Sequence, residues 1–271
     1  MAKDDSFDAL QKRVVKLDED QLNINFSYKR PILLNKILGL HTISVNEYTF
    51  RRALRFKDIL GNRPSFRSSL KFPGILFKYV FQKLSKNYIL KKPLPFLVVD
   101  AVDFIEKHIS TGSKVLEVGA GNSTLWFLKK GCNVTSIEHN KKWAKEIIIH
   151  GEEIIKKDGG KLLIEVSKGE EALTYLSKLD QNFDLILIDS MNEYTSRYEA
   201  LKILKDKLSV DGIIILDNSD GVVNWKALAV LNGVKKRTFT GYAYNCPFVC
   251  QTTIWQALDI KSQKNLQKAK G

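Results

Sequence analysis

The segment Val115-Leu-Glu-Val-Gly-Ala-Gly-Asn-Ser-Thr-Leu-Trp126 holds the residue types that build a nucleoside-cofactor pocket. Val115, Leu116 and Val118 form a short apolar run suited to a buried central strand of a parallel sheet. Gly119 and Gly121 let the backbone turn sharply and approach a ligand closely, and Asn122, Ser123 or Thr124 can cap the helix that follows. Gly131 is placed to end that helix after about two turns. Nineteen residues beyond Gly119, Glu138 ends a second apolar run, Val134 to Ile137, at the place where an acid takes a ribose hydroxyl pair.

Two more acids stand at the ends of apolar runs. Asp189 closes Phe183-Asp-Leu-Ile-Leu-Ile-Asp189, and Asp217-Asn218 follows Ile213 to Leu216. On adjacent parallel strands both carboxylates would project into one crevice. Two carboxylates and the Asn218 amide oxygen make a hard oxygen site suited to Mg²⁺, which can hold both oxygens of a vicinal diol and favour its ionised form for attack on a methyl group. The alternatives are structural: a polar loop over Asp217 to Asp220 that satisfies backbone groups, and an Asp189 carboxylate that caps the amides of Ser190 or Met191. His41, His108 and His150 have no neighbours that would complete a ligand set or a triad.

The elements that must position these groups follow a regular alternation. Leu97, Val98, Ala101, Val102 and Ile105 fall at helical spacing and end in a Thr111-Gly112 turn, so a domain begins near residue 93. Asn140 is placed to cap a helix with Trp143, Ala144, Ile147 and Ile148 on one face, and Gly159-Gly160 ends that segment. Leu162 to Val166 reads as a third strand, Phe183 to Asp189 as a fourth, Tyr198 to Leu208 as a helix with Leu201, Leu204 and Leu208 inward, and Ile213 to Leu216 as a fifth strand. Beyond Leu231, Arg237 to Tyr244 and Thr252 to Ala257 read as two strands with no room for a crossover helix, so they pair antiparallel. The expected fold is α/β: a doubly wound Rossmann-like sheet of five parallel strands closed by an antiparallel pair, with ligands at the carboxyl ends of the strands. The Lys/Gln-rich tail, 261–271, is expected to fray.

At 271 residues and 44% hydrophobic content the chain can hold one large domain, 93–260, and an extension, 1–92. Residues 27–92 of that extension hold fifteen Lys and Arg against Glu47 and Asp58, a charge of +13, while 1–26 carry −2 and 93–271 carry +2. These basic residues are interleaved with apolar ones, which reads as a mainly helical segment. Its longest apolar run, around 72–81, is broken by Lys78 and falls short of the ~20 residues of a bilayer span, so it could lie on an anionic membrane surface and not cross it. A solvated helical cap on the domain is the competing reading. Three cysteines are too few and too odd for a disulfide scaffold, Cys246 and Cys250 lack a second pair of metal ligands, and no basic-then-apolar leader opens the chain, so a reducing cytoplasm is expected.

Thr124 stands where a dinucleotide-binding G-x-G-x-x-G run would have its third glycine, and Glu117 stands two residues ahead of Gly119. Both depart from a nicotinamide site. Glu117-Val-Gly-Ala-Gly121 together with Glu138 resembles the first two motifs of class I S-adenosylmethionine-dependent methyltransferases. The resemblance implies that Gly119, Ala120, Gly121, Asn122 and Ser123 lie under the methionine and ribose part of S-adenosylmethionine, that Glu117 orients its amino group and that Glu138 holds its ribose. Gly169-Glu170-Glu171 matches the place where this fold contacts the adenine, with a plain helix-initiating turn as the alternative. His139 and Trp143 would pack around the adenine, and Tyr194, Arg197 and Tyr198 would line the acceptor pocket or else simply begin a helix.

Asp189, Asp217 and Asn218 resemble the metal site of catechol O-methyltransferase and its relatives, which carry a lysine three residues after the strand-four aspartate; here Asn192 stands there. Lys92-Pro-Leu-Pro95, Ser123 to Trp126, Glu138-His139 and Leu216 to Asp220 resemble a little-characterised bacterial group of the same class, over about two-thirds of the chain. The expected activity is O-methylation of a small-molecule or glycan-like acceptor, with Asp189, Asp217 and Asn218 as the catalytic residues. A nucleic-acid methyltransferase is the alternative favoured by the basic extension. No Asn/Asp-Pro-Pro-aromatic motif follows the fourth strand, where the chain reads Asp189-Ser-Met-Asn192. A cofactor-binding protein without transfer activity is the third reading.

Overall fold

The structure is a computed structural model that describes residues 56–58, 60–84, 90, 93–190, 194–221, 224–244 and 248–268. The chain divides into two units, 1–55 and 56–271, and all described residues belong to the second. The expectation of helix for the part of the extension before Phe56 lies outside the described residues.

Strands β1 (Lys114–Val118), β2 (Asn133–Glu138), β3 (Lys161–Val166), β4 (Phe183–Ile188) and β5 (Leu208–Asp217) alternate with helices α3 (Asn122–Lys129), α4 (Lys141–Asp158), α5 (Gly169–Lys178) and α6 (Arg197–Leu204). Ahead of β1 lie α1 (Phe66–Leu84) and α2 (Val99–Ile105); after β5 come α7 (Trp225–Val230), β6 (Lys236–Tyr242), β7 (Val249–Gln256) and α8 (Ala257–Lys268). The sheet runs β3-β2-β1-β4-β5-β7-β6. The first five strands are parallel, and β7 is antiparallel to both β5 and β6. This is the doubly wound sheet expected from the alternation. Its strand order reverses between β1 and β4, and such a switch point leaves a crevice at the carboxyl ends.

The core explains why these strands hold. Val115, Leu185, Leu187, Ile213 and Ile215 are fully buried in one cluster with Leu97, Val98, Val102 and Ile105 from the α2 region and with Leu125, Phe127 and Leu128 from α3. Truncating a side chain of this kind to alanine typically costs about 2–5 kcal/mol. Helix α4 starts where its cap dictates: Asn140 Oδ1 accepts from the amides of Lys142 and Trp143 at 3.0 and 3.1 Å.

Gly119 has φ +106°, and a Cβ there would lie 2.8 Å from the carbonyl oxygen of Asp189. Only glycine lets the β1 turn press against the end of β4. Gly212 is required for a different reason, because a Cβ would meet the Phe183 carbonyl oxygen at 2.8 Å. That close approach lets β5 begin at Leu208, where it pairs with Phe183, so the α6 helix stops at Leu204 and not at Leu208 as its leucine spacing suggests.

The unit holding the sheet begins at Phe56, upstream of the start near 93 read from the sequence. Helix α1 is joined to the sheet edge by the Ser65 amide, which donates to Thr240 O at 3.0 Å, and by Ser68 Oγ, which accepts from the Tyr242 amide at 2.7 Å. Ile75 closes the contact against Val99, Tyr242 and Val249. At the other end α8 continues to Lys268, past the residue-261 point from which fraying was expected.

Candidate functional site

The carboxyl ends of β1, β2 and β4 enclose a cleft of about 450 Å³. The glycine turn from Gly119 to Ser123 lines one wall, and Ile137, Glu138, His139, Asn140 and Trp143 line the next. Asp189, Ser190, Tyr194, Thr195 and Phe96 complete it. Among the described residues, two carboxylates face the cleft and no Lys or Arg side chain lines it, although the chain carries a net charge of +13.

Local bonding fixes this geometry. Glu138 Oε1 accepts from the Asn140 amide at 2.7 Å and lies 2.9 Å from His139 Nδ1. Burial raises the Glu138 carboxyl, and the Asn140 amide and the His139 ring oppose that shift. Trp143 Nε1 donates to Ala120 O at 2.9 Å, tying α4 to the glycine turn. His139 stacks on Tyr194 with ring centroids 3.7 Å apart and planes 10° apart, so an aromatic pair joins the end of β2 to the loop after β4.

Asn122 is only 4% exposed, and neither atom of its side-chain amide has a partner among the described residues. Leaving a buried polar group unsatisfied costs on the order of 1–3 kcal/mol, so this amide is one that a ligand could complete. A group with both donors and acceptors, such as the amino-acid end of S-adenosylmethionine, fits it.

The remaining cofactor residues read from the sequence fall elsewhere. Glu117 does not line the cleft. It is fully buried and accepts hydrogen bonds from Ser123, Thr124 and Ser136, the last at 2.9 Å. Burial pushes its carboxyl up to about 7 against those bonds. The acid thus knits β1 to α3 and β2, with Ser123 turned toward it. Gly169 and Glu170 are exposed and also lie outside the cleft lining; the Gly169 amide donates to Tyr194 O at 2.5 Å, so this turn supports the aromatic pair from behind.

The strand-end acids do not form the expected metal site. Of Asp189, Asp217 and Asn218, only Asp189 lines the cleft. Asp217 is 2% exposed, and its Oδ1 accepts from Thr252 Oγ1 on β7 at 2.8 Å. Burial, and then the Asp189 charge, pushes the Asp217 carboxyl up to about 8. Asn218 adopts φ +47°, and its carbonyl accepts from Asn224 Nδ2 at 2.8 Å.

A guanidinium already occupies the space between the two strand ends. Arg197, 2% exposed, donates through Nε to Ser190 O at 2.6 Å, through Nη1 to Asp217 O, and through Nη2 to Asp189 Oδ1 at 3.0 Å. Among the described residues, no three His, Cys, Asp or Glu side chains converge as a metal would need. The donor set does not fit Mg²⁺: Asp217 Oδ1 is engaged by Thr252, only Asp189 of the three reaches the cleft, and a fixed cation sits where the ion's charge would be. Asn192, at the position of the absent lysine, lies outside the described residues.

Arg197 therefore belongs behind the site and not on the acceptor wall. Tyr194 does line the cleft, and Tyr198 instead lies under Lys202, whose Nζ is 5.1 Å from the ring centroid. Phe96, Asn140, Ser190 and Thr195 line the cleft without having been read from the sequence as site residues. Ser190 and Thr195 had a weak signal, because Ser190 directly follows the strand-end Asp189 and Thr195 directly follows Tyr194.

A family model described as "Methyltransferase domain" matches residues 116–219, and with it the resemblance to class I S-adenosylmethionine-dependent methyltransferases is borne out. No curated protein matches the chain. Similar solved structures include an O-methyltransferase from Bacillus cereus in complex with SAH, at 14% identity and a TM-score of 0.47, covering 69% of this chain and 90% of that one. Another is the O-methyltransferase TomG from Streptomyces achromogenes, involved in tomaymycin synthesis and in complex with SAM, at 15% identity and a TM-score of 0.47, covering 70% and 98%. A third is a precorrin-6y C5,15-methyltransferase from Geobacter metallireducens, at 15% identity and a TM-score of 0.45, covering 58% and 88%.

Proposed function

We propose that the methyltransferase domain matched over residues 116–219 transfers a methyl group from S-adenosylmethionine to an oxygen of a small-molecule or glycan-like acceptor. The observation that carries this reading is the cleft in which Glu138, Asp189 and the unpartnered amide of Asn122 meet, with no Lys or Arg in its lining among the described residues. An acidic cleft favours a cationic donor and disfavours a phosphate-rich acceptor. That weighs against nucleic acid as the substrate, whatever the charge of the extension.

When bound, the donor supplies a methyl carbon activated by a positively charged sulfur. The chain's own residues hold and align. Glu138 accepts hydrogen bonds from the ribose hydroxyl pair, and Asn122 satisfies the amino-acid end. Asp189, with its carboxylate fixed by Arg197 at 3.0 Å, would accept a hydrogen bond from the acceptor hydroxyl and take its proton as the oxygen bonds the methyl carbon and the carbon–sulfur bond breaks, its electron pair staying on the sulfur of the departing S-adenosylhomocysteine. The glycine turn brings backbone close to the ligand without side chains in the way. The basic residues of 27–92 support a cytoplasmic protein held peripherally at an anionic membrane surface. Among the described residues no helix is long and apolar enough to cross a membrane.

The test is transfer of radiolabelled methyl from S-adenosylmethionine into fractions of a cell extract. The proposal expects label in a small-molecule or glycan fraction, resistant to nuclease. Label in nuclease-sensitive material would assign a nucleic-acid acceptor instead. Donor binding with no label in any fraction would leave a cofactor-binding protein without transfer activity.

A further inference from the structure

Helix α1 buries one side and exposes large apolar side chains on the other. Ser68 and Ile75 are 0% and 3% exposed against the sheet edge, whereas Phe66 and Leu70 are 80% and 67% exposed. At 100° per residue, Phe66, Leu70, Pro73 and Phe77 fall on one narrow stripe opposite the buried face. Phe77 is 64% exposed, and Pro73 is exposed beside it. Monomeric proteins rarely leave large apolar side chains such as Phe66 and Leu70 together in water, and a patch rimmed by polar groups marks a contact surface.

Charge decides what the stripe meets. Residues 56–84 hold six basic side chains, Lys57, Arg63, Arg67, Lys71, Lys78 and Lys83, against Asp58 alone. Lys57 and Arg63 are exposed, and Lys78 Nζ lies 5.8 Å from the centroid of the Tyr244 ring. Arg67 and Lys71 reach Asp103 at 2.5 and 3.1 Å, which pins the helix to α2 with the stripe turned outward. A second copy of the chain would bring like charges together across this face, and a nucleic acid would meet the charges but leave Phe66 and Leu70 in water. An anionic bilayer satisfies both, with apolar side chains in the acyl boundary and Lys and Arg among the headgroups.

We infer that helix α1 lies in the plane of an anionic lipid surface, with Phe66 and Leu70 inserted and Lys57 and Arg63 contacting headgroups. This rests on the reading that the basic extension attaches the enzyme to a membrane, and it assigns the contact to a helix braced against the catalytic sheet. Phe96 lines the cleft while Val99, three residues on, packs on Ile75 of α1. The inserted helix therefore shares its support with the cleft wall.

The full chain and its F66S/L70S variant should be compared by co-sedimentation with vesicles of phosphatidylcholine alone and of phosphatidylcholine with phosphatidylglycerol. Wild type is expected to pellet only with the anionic vesicles. The variant is expected to lose about a hundredfold in vesicle affinity while keeping its melting temperature and its affinity for S-adenosylhomocysteine. Equal binding of both proteins to anionic vesicles would overturn the assignment to α1 and keep the membrane reading. Failure of wild type to bind any vesicle would overturn both. A concentration-dependent dimer that F66S/L70S abolishes, without vesicle binding, would show that the face joins two copies and would also overturn the inference.

Discussion

Arg197 Nη2 lies 3.0 Å from Asp189 Oδ1, and the same guanidinium spans to the carbonyls of Ser190 and Asp217. One buried side chain thereby locks the ends of β4 and β5 together beneath the cleft. The planar five-donor fork of arginine suits this better than the single point charge of lysine.

Replacing Arg197 by Met should lower unfolding stability by about 3–5 kcal/mol, because it leaves a carboxylate and two carbonyls without their cation. Arg197→Lys should recover only part of the loss. Denaturant titration reads both, and a wild-type midpoint for R197M would show that the bridge is dispensable.

Metal chelation is expected to leave turnover unchanged once an acceptor is in hand, and millimolar Mg²⁺ should give no binding heat with the protein. The reason is the guanidinium between the strand ends and the Asp217 carboxyl, which is turned to Thr252 and away from the cleft. Loss of activity in EDTA, restored by Mg²⁺, would reinstate the oxygen site at Asp189, Asp217 and Asn218.

Stability should fall as pH rises from about 5 to 9. Glu117 and Asp217 titrate near 7 and 8 when folded, well above the ordinary carboxylate range of about 4, so the folded state holds more protons across that window. Asp217→Asn removes one of these groups and should flatten the upper part of the slope. Melting temperatures across the pH series decide it; a wild type that gains stability toward pH 9 would contradict the assignment.

Asn122→Ala should weaken S-adenosylhomocysteine binding by about 1–1.5 kcal/mol while leaving the melting temperature of the ligand-free protein unchanged or raised, because it deletes a buried amide with no protein partner. Calorimetry and thermal melting together separate these effects. Lost stability with unaltered binding would make Asn122 a structural residue.

Much of this was legible because it is local. The Glu138 position follows from a strand, a turn and a spacing, and Asn140 announced the start of α4 by its side chain alone. The roles that were misread depend on packing between distant segments. Leu208 continues the helical spacing of Leu201 and Leu204, yet Phe183 draws it into β5. Glu117 stands in the motif where an acid near the ligand is expected, but the hydroxyls of Ser123, Thr124 and Ser136 enclose it; those residues were visible in the sequence, and their convergence was not. Arg197 carried no signal of its role, since its partners come from the ends of two strands and only the fold brings them within reach.

The central claim is that the cleft takes S-adenosylmethionine through Glu138, and titration calorimetry with S-adenosylhomocysteine tests it most directly. Wild type should bind, and Glu138→Ala should bind about 2–3 kcal/mol more weakly, since a hydrogen bond to a charged acceptor is worth about 1.5–3 kcal/mol. A protein that binds NAD and ignores S-adenosylhomocysteine, or an E138A variant with wild-type affinity, would contradict it.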